Sequence, residues 1–245
     1  MKSFKGNNIT FKTQIPALID LEPPVPASQK IPEWFKKLPM DLPRHDHKPF
    51  PVVGPILKKW SSHTIKKCPA VVDYFAEGYI IPLWSDIFIQ RQGDEFHFDT
   101  NHDQGIGSTI EFHNEAQFST YPFKRNDLRR AIKFTSPWFF YTPPGWSMLF
   151  IPPLLERNDD FTLFPGIVET DSFHQVNFPG IWHSEGDRVL QRGTPFLHVI
   201  PFKRSKTKIS VEEFTEQDYQ NNSNESFNLR SKMTNGYREI TRRNR

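Results

Sequence analysis

Tyr141-Thr-Pro-Pro-Gly-Trp-Ser-Met-Leu-Phe-Ile-Pro-Pro153 decides the fold, together with Gly166-Ile-Val-Glu-Thr-Asp171 and Arg192-Gly-Thr-Pro-Phe-Leu-His-Val-Ile-Pro-Phe-Lys-Arg204. Each piece is a Gly- or Pro-marked turn feeding a short run of β-branched and aromatic residues, the pattern of strand, turn, strand. Working outward, residues 79–84, 86–91, 108–113, 131–134 and 138–141 continue the pattern. Glu95-Phe-His-Phe-Asp99 alternates polar and apolar residues as a half-buried strand does. The expectation is a mainly β protein with a core of two packed sheets of short, mostly antiparallel strands. Trp138, Phe140, Trp146, Phe150, Phe161 and Phe178 are its expected core rings.

Composition agrees with that class. Hydrophobic residues make up only 36% of the 245, but 23 Phe, 6 Trp and 6 Tyr offset this, since each ring buries a large area. The 22 Pro residues argue against long helices and for turns, edge strands and extended segments. The one cysteine, Cys68, excludes an intramolecular disulfide and a multi-Cys metal site. It precedes Pro69 at an expected helix start, and a buried structural thiol is the favoured expectation. Neither a signal peptide nor an apolar run of bilayer length occurs, so the expectation is a cytoplasmic protein with no membrane role.

Three regions follow. Residues 1–78 are Pro-punctuated and should wrap the core. In them Leu21-Glu-Pro-Pro-Val-Pro26 runs extended. Ile31-Pro-Glu-Trp-Phe-Lys-Lys-Leu38 forms a short helix offering Trp34, Phe35 and Leu38 for docking, and residues 69–77 form a second between Pro69 and Gly78. Residues 79–204 are the all-β domain. Residues 205–245 are a polar, basic tail, expected to be helical over 211–219 and 229–243 with a break at Asn221-Asn-Ser-Asn224. The net charge is only +3, but Arg230, Lys232, Arg238, Arg242, Arg243 and Arg245 make the end locally basic. A nucleic-acid or acidic-partner contact is one reading. Without interleaved aromatics, a solvated helix is favoured and nucleic acid is not.

The stretch from about 134 to 204 resembles the dUTPase-like β-clip of dUTPases and dCTP deaminases. Pro144-Gly145-Trp146 corresponds to that family's first turn, residues 166–173 to its hairpin, and residues 193–200 to its last strand. The resemblance implies a two-sheet β-clip core with short N-terminal helices and a helical C-terminal tail. It also implies nucleotide-hydrolase roles for Glu169 at the water-activating position, Asp171 beside it, and Phe173 as the stacking ring. The departures are chemical. Pro152-Pro153 stands where an Arg-Ser pair would grip phosphates, and proline offers no donor. Glu169 is one methylene longer than the family's Asp, and residues 236–245 hold no counterpart of the closing Gly-rich motif. The whole chain also resembles a bacteriophage, especially cyanophage, protein family of unknown function. Residues 31–38, Thr64-Ile-Lys-Lys-Cys68, Gly78-Tyr-Ile-Ile-Pro82 and Ile200-Pro-Phe-Lys-Arg204 carry that likeness.

A second constellation is His97-Phe-Asp99, whose i, i+2 spacing on a strand sends both side chains to one face. With His183 it would complete a 2-His-1-carboxylate triad, with Arg192 or Arg188 anchoring a co-substrate carboxylate. His174 competes as the distal ligand. This resembles Fe(II)/2-oxoglutarate oxygenases and implies Fe(II) and 2-oxoglutarate as cofactors. His45-Asp-His47 has ligand types in a Pro-rich loop, His102-Asp103 and His113 could join His97, and Asp171 also suits a turn-fixing role. No phosphate loop, dinucleotide fingerprint or Gly-x-Ser-x-Gly elbow occurs.

The leading expectation is a non-catalytic binding or assembly protein on a β-clip scaffold. It would be phage-associated, a virion component or a small-ligand or partner binder, working with a protein partner or with itself, in the host cytoplasm or the virion. The alternatives are the oxygenase and a divergent dUTPase-like nucleotide hydrolase.

Overall fold

The computed structural model describes residues 8–42, 64–100, 110–156 and 158–231, with side chains as far as 223. Its strands are β1 (Thr10–Thr13), β2 (Val25–Pro26), β3 (Tyr79–Pro82), β4 (Ile87–Gln92), β5 (Glu95–Thr100), β6 (Ile110–Phe112), β7 (Ile132–Tyr141), β8 (Trp146–Ile151), β9 (Phe161–Leu163), β10 (Gly166–Val168), β11 (Gln175–Trp182), β12 (Gly186–Leu190) and β13 (Pro195–Lys203). The helices are α1 (Ala17–Leu21), α2 (Glu33–Lys37), α3 (Pro69–Ala76) and α4 (Glu216–Ser231).

Two expected strands, 131–134 and 138–141, are one: β7 runs through Pro137, burying every second residue. Against β11 its register steps from Gln175↔Phe139 to Asn177↔Thr135, so three residues of β7 face one of β11. Pro137, with no N–H to give, sits in that bulge. The Ser136 hydroxyl repairs the ladder, accepting from the Trp138 N–H at 3.0 Å and lying 3.2 Å from the Trp138 carbonyl.

Among the described residues all strand pairs are antiparallel, but they form three sheets rather than two. The first runs β1-β7-β11-β9 with β6 also on β7, the second β10-β8-β13-β3-β2, and the third β12-β4-β5. The third exists because the β4–β5 hairpin pairs with β12 and buries Ile87, Ile89 and Phe96 from its inner face. Aromatic rings join the layers. Phe140 of β7 meets Phe150 of β8 at 5.0 Å between centroids, Phe134 meets Phe196 of β13 at 4.9 Å, and Phe96 meets Trp182 at 5.5 Å. Such edge-to-face pairs add to the area they bury. Trp138, Phe140, Phe150, Phe161 and Phe178 are core rings as expected. Trp146 is not; it opens β8 beside a turn and is only half-buried.

The chain divides into two compact units, Met1–Arg204 and Ser205–Arg245. In the first, N-terminal elements complete the β structure: β1 pairs with β7, β2 with β3, and Leu18 of α1 is fully buried. Phe35 of α2 packs on Phe75 of α3 at 4.6 Å, while Trp34 stays exposed and donates to the Leu155 carbonyl at 3.0 Å. In the second unit α4 begins at Glu216 rather than 211 and runs through Asn221-Asn-Ser-Asn224. Its start is set by a reciprocal cap: the Thr215 hydroxyl accepts from the Asp218 N–H and Asp218 accepts from the Thr215 N–H. Asparagine is a weak helix former, not a breaker, once a helix is capped. Residues 232–245, with most of the basic end and the segment compared with the Gly-rich motif, lie outside the described residues.

Candidate functional site

The hairpin that the β-clip resemblance singles out is built around a turn. Pro143-Pro144-Gly145-Trp146 closes with the Trp146 N–H on the Pro143 carbonyl at 3.2 Å, and Gly145 has φ +82°. Proline at the second position and a left-handed glycine at the third make this a type II turn. The expected catalytic hairpin packs beside it and locks it. Asp171 accepts the Gly145 N–H at 2.8 Å and takes both ends of the Arg204 guanidinium, Oδ1–Nη1 at 3.0 Å and Oδ2–Nη2 at 2.5 Å. Arg204 also donates to the Trp146 carbonyl, and its backbone N–H meets the Gly145 carbonyl. The Asp171 side chain is 9% exposed. The Arg204 guanidinium, helped by the Gly145 N–H, holds its carboxyl down to about 2. Asp171 does fix a turn, though through a neighbouring loop rather than its own backbone.

Its neighbours have other environments. Glu169 is exposed, with a carboxylate oxygen 3.8 Å from Arg204, and its carbonyl accepts the N–H groups of Ser172 and Phe173 to close the hairpin. Phe173 is 62% exposed, and Ile167 on β10 is 66% exposed. Glu169, Asp171 and Phe173 thus share one hairpin, with the carboxylates around a cation and the ring in solvent.

The His97–Asp99–His183 triad does not assemble. His97 and Asp99 lie on the outer face of β5, paired with Gln90 and Phe88. Asp99 accepts its neighbour's Thr100 N–H. Among the described residues no three His, Cys, Asp or Glu side chains are grouped to hold a metal. His183 is engaged elsewhere on both ring nitrogens: Nδ1 is 2.8 Å from Asp127 Oδ1, and Nε2 is 2.8 Å from Thr162 Oγ1. Arg192 pairs with Glu22 at 3.5 Å, and Arg188 with Asp160 at 3.0 Å. His174 stacks on Tyr141 at 4.0 Å with Nδ1 against the carbonyls of Thr170 and Phe140. His113 bonds Gln117 within a capped turn. Cys68, expected to be buried, is exposed, and its carbonyl accepts the Val71 and Val72 N–H groups that open α3. His45, His47, His102 and Asp103 lie outside the described residues.

The chain Asp127–His183–Thr162 is the arrangement sequence reasoning missed. Asp127 is 6% exposed and fixes its own loop by accepting the Lys124 N–H at 2.7 Å. Thr162 on β9 pairs with Ile181, which puts it diagonally across the sheet from His183 just beyond β11. All three line an open cleft of about 780 Å³, together with Lys124, Arg125 and Asn158. The residues are 56 and 21 positions from His183 in sequence, so no local motif marks them. Comparison with protein-family models and with curated proteins finds no match to the chain. Among the described residues no helix is long and apolar enough to cross a membrane.

Proposed function

We propose that the protein is a binding or assembly protein on a β-clip-like scaffold, with hairpin 166–173 as its docking surface and a second copy of the chain as its first partner. The observation that carries this is the use made of Asp171. Glu169, at the water-activating position, stands exposed 3.8 Å from the Arg204 guanidinium, and a neighbouring carboxylate that assists it needs a lone pair turned toward substrate. Here both oxygens of Asp171 are filled by Arg204 and by the Gly145 N–H, and Pro152-Pro153 offers no donor to a phosphate. The outward side of the same hairpin is apolar, through Ile167 and Phe173, and β10 stands at the end of its sheet. An edge strand with apolar side chains is a surface on which another chain adds. The likeness of residues 31–38, 64–68, 78–82 and 200–204 to bacteriophage proteins supports a phage association, as a virion part or a free binder.

Light scattering after size exclusion tests the docking surface. The wild type should elute as an oligomer, and the double variant Ile167→Asp, Phe173→Asp should dissociate while keeping its circular dichroism. A wild type that stays monomeric across the micromolar range, or an oligomer indifferent to both substitutions, contradicts it.

A further inference from the structure

We propose that Asp127, His183 and Thr162 form a hydrolytic site for carboxylic esters. The Thr162 hydroxyl is its nucleophile, His183 its general base, and Asp127 the residue that positions the base. The hydrogen-bond directions follow from the donor inventory. An ionised carboxylate only accepts, so the proton of the neutral imidazole lies on Nδ1, facing Asp127. Nε2 then carries the lone pair, and the Thr162 hydroxyl, 2.8 Å away, donates into it. Carboxylate, imidazole and hydroxyl in that order are what activate an otherwise weak oxygen nucleophile.

The surroundings hold this order in place. Arg91 is 5% exposed, and its guanidinium donates to the carbonyls of Gly93 at 2.8 Å, Asn126 at 2.8 Å and Ser184 at 3.3 Å. Asn126 precedes Asp127 and Ser184 follows His183, so one buried cation sets the spacing of acid and base. The backbone N–H of His183 donates to the Asp160 carbonyl at 2.7 Å, and the Ser184 hydroxyl donates to the Asp160 carboxylate at 2.6 Å. On the nucleophile side, a Cβ at Gly180 would sit 2.6 Å from the Thr162 carbonyl oxygen. Only glycine lets β9 approach this closely, which brings Thr162 within reach. The hydroxyl opens into the cleft, where Lys124 and Arg125 are the cations available to a developing oxyanion.

The step balances without a cofactor. Thr162 Oγ1 attacks the ester carbonyl carbon while its proton passes to Nε2, and the carbonyl π pair moves onto oxygen. Collapse of that oxyanion breaks the carbon–alkoxide bond, and the alcohol leaves with the proton from Nε2. Water then attacks acyl-Thr162, again through Nε2, releasing the carboxylic acid and restoring the hydroxyl.

The test uses p-nitrophenyl acetate as probe on the full chain. The wild type should release p-nitrophenolate, with acetyl found by mass spectrometry on the peptide holding Thr162. Because Thr162 is exposed, Thr162→Val should fold normally and lose roughly 100-fold or more of the rate, while Thr162→Ser keeps it. His183→Gln should lose a similar factor. Asp127→Asn should fall as far and change the pH profile, because an amide that donates to Nδ1 reverses the tautomer. A wild-type rate no higher than that of free imidazole at equal concentration overturns the proposal. So does acetyl on a residue other than Thr162, or a Thr162→Val protein as active as the wild type.

Discussion

Asp171 and Asp127 are both shielded carboxylates in tight contact with a nitrogen-bearing side chain, yet they end in different places. Asp171 faces a permanent cation. Both its oxygens are filled, and the chain of contacts closes on the Gly145 turn and the backbone around Trp146. Asp127 faces an imidazole whose far side holds a hydroxyl at a cleft. A carboxylate paired with arginine on one side and backbone on the other can only stabilise. One paired with histidine passes its orientation to a group that can exchange a proton. The contrast supports the proposed division between a structural role for the hairpin and a chemical one for the cleft, whatever the catalytic look of Glu169-Thr-Asp171 in sequence.

The largest expected effect tests how the second region is held. Arg91→Met removes the bonds to three carbonyls in a buried setting, so it should cost roughly 3 kcal/mol or more in urea unfolding and disturb His183 along with the fold. Asp171→Asn should cost about 2–3 kcal/mol by the same measurement and leave ester hydrolysis unchanged. If it abolished hydrolysis in a folded protein, the two regions would not be separate.

The pH dependence sharpens the same contrast. The folded carboxyl of Asp171 is held at about 2, below its ordinary 3.8. Its stabilisation is therefore complete above the ordinary value and is lost as pH falls through the folded one. The stability gap between wild type and Asp171→Asn should accordingly be constant at neutral pH and close between about pH 4 and pH 2. His198 acts at higher pH. Burial lowers its pKa below the ordinary 6.5, with Nε2 2.6 Å from the Glu77 carbonyl. Wild-type stability should thus decline as pH drops below that value, and His198→Gln should flatten the decline in thermal melts. Smallest of all, Thr162→Val should change stability by no more than about 0.5 kcal/mol, which makes it the clean probe of the second region.

Local chemistry was legible in the sequence, and long-range partnership was not. Pro143-Pro144-Gly145 announced its turn because proline fixes φ and glycine alone takes +82° comfortably. The alternation along Ile132–Tyr141 gave away a strand, though Pro137 hid that it is a single one, because the Ser136 hydroxyl that repairs the bulge leaves no mark in the pattern. Trp146 looked like a core ring because size suggests burial, but its place at the mouth of a turn leaves it half-buried, so Trp146→Ala should cost less than Phe140→Ala. The partition into three sheets depends on β12 returning to β4 across some 95 residues, which no periodicity encodes. Likewise Arg204 finds Asp171 over 33 positions and Asp127 finds His183 over 56. His97-Phe-Asp99 had the right spacing for one face, but the third ligand it needed, His183, is held by Asp127 and Thr162 instead.

Turnover of deoxynucleoside triphosphates by the purified chain, followed by phosphate release in wild type and Glu169→Gln, tests most directly whether hairpin 166–173 is structural. The account predicts no release above buffer from either protein. Release at enzymatic rates from the wild type that disappears in Glu169→Gln would contradict it and return the hairpin to catalysis.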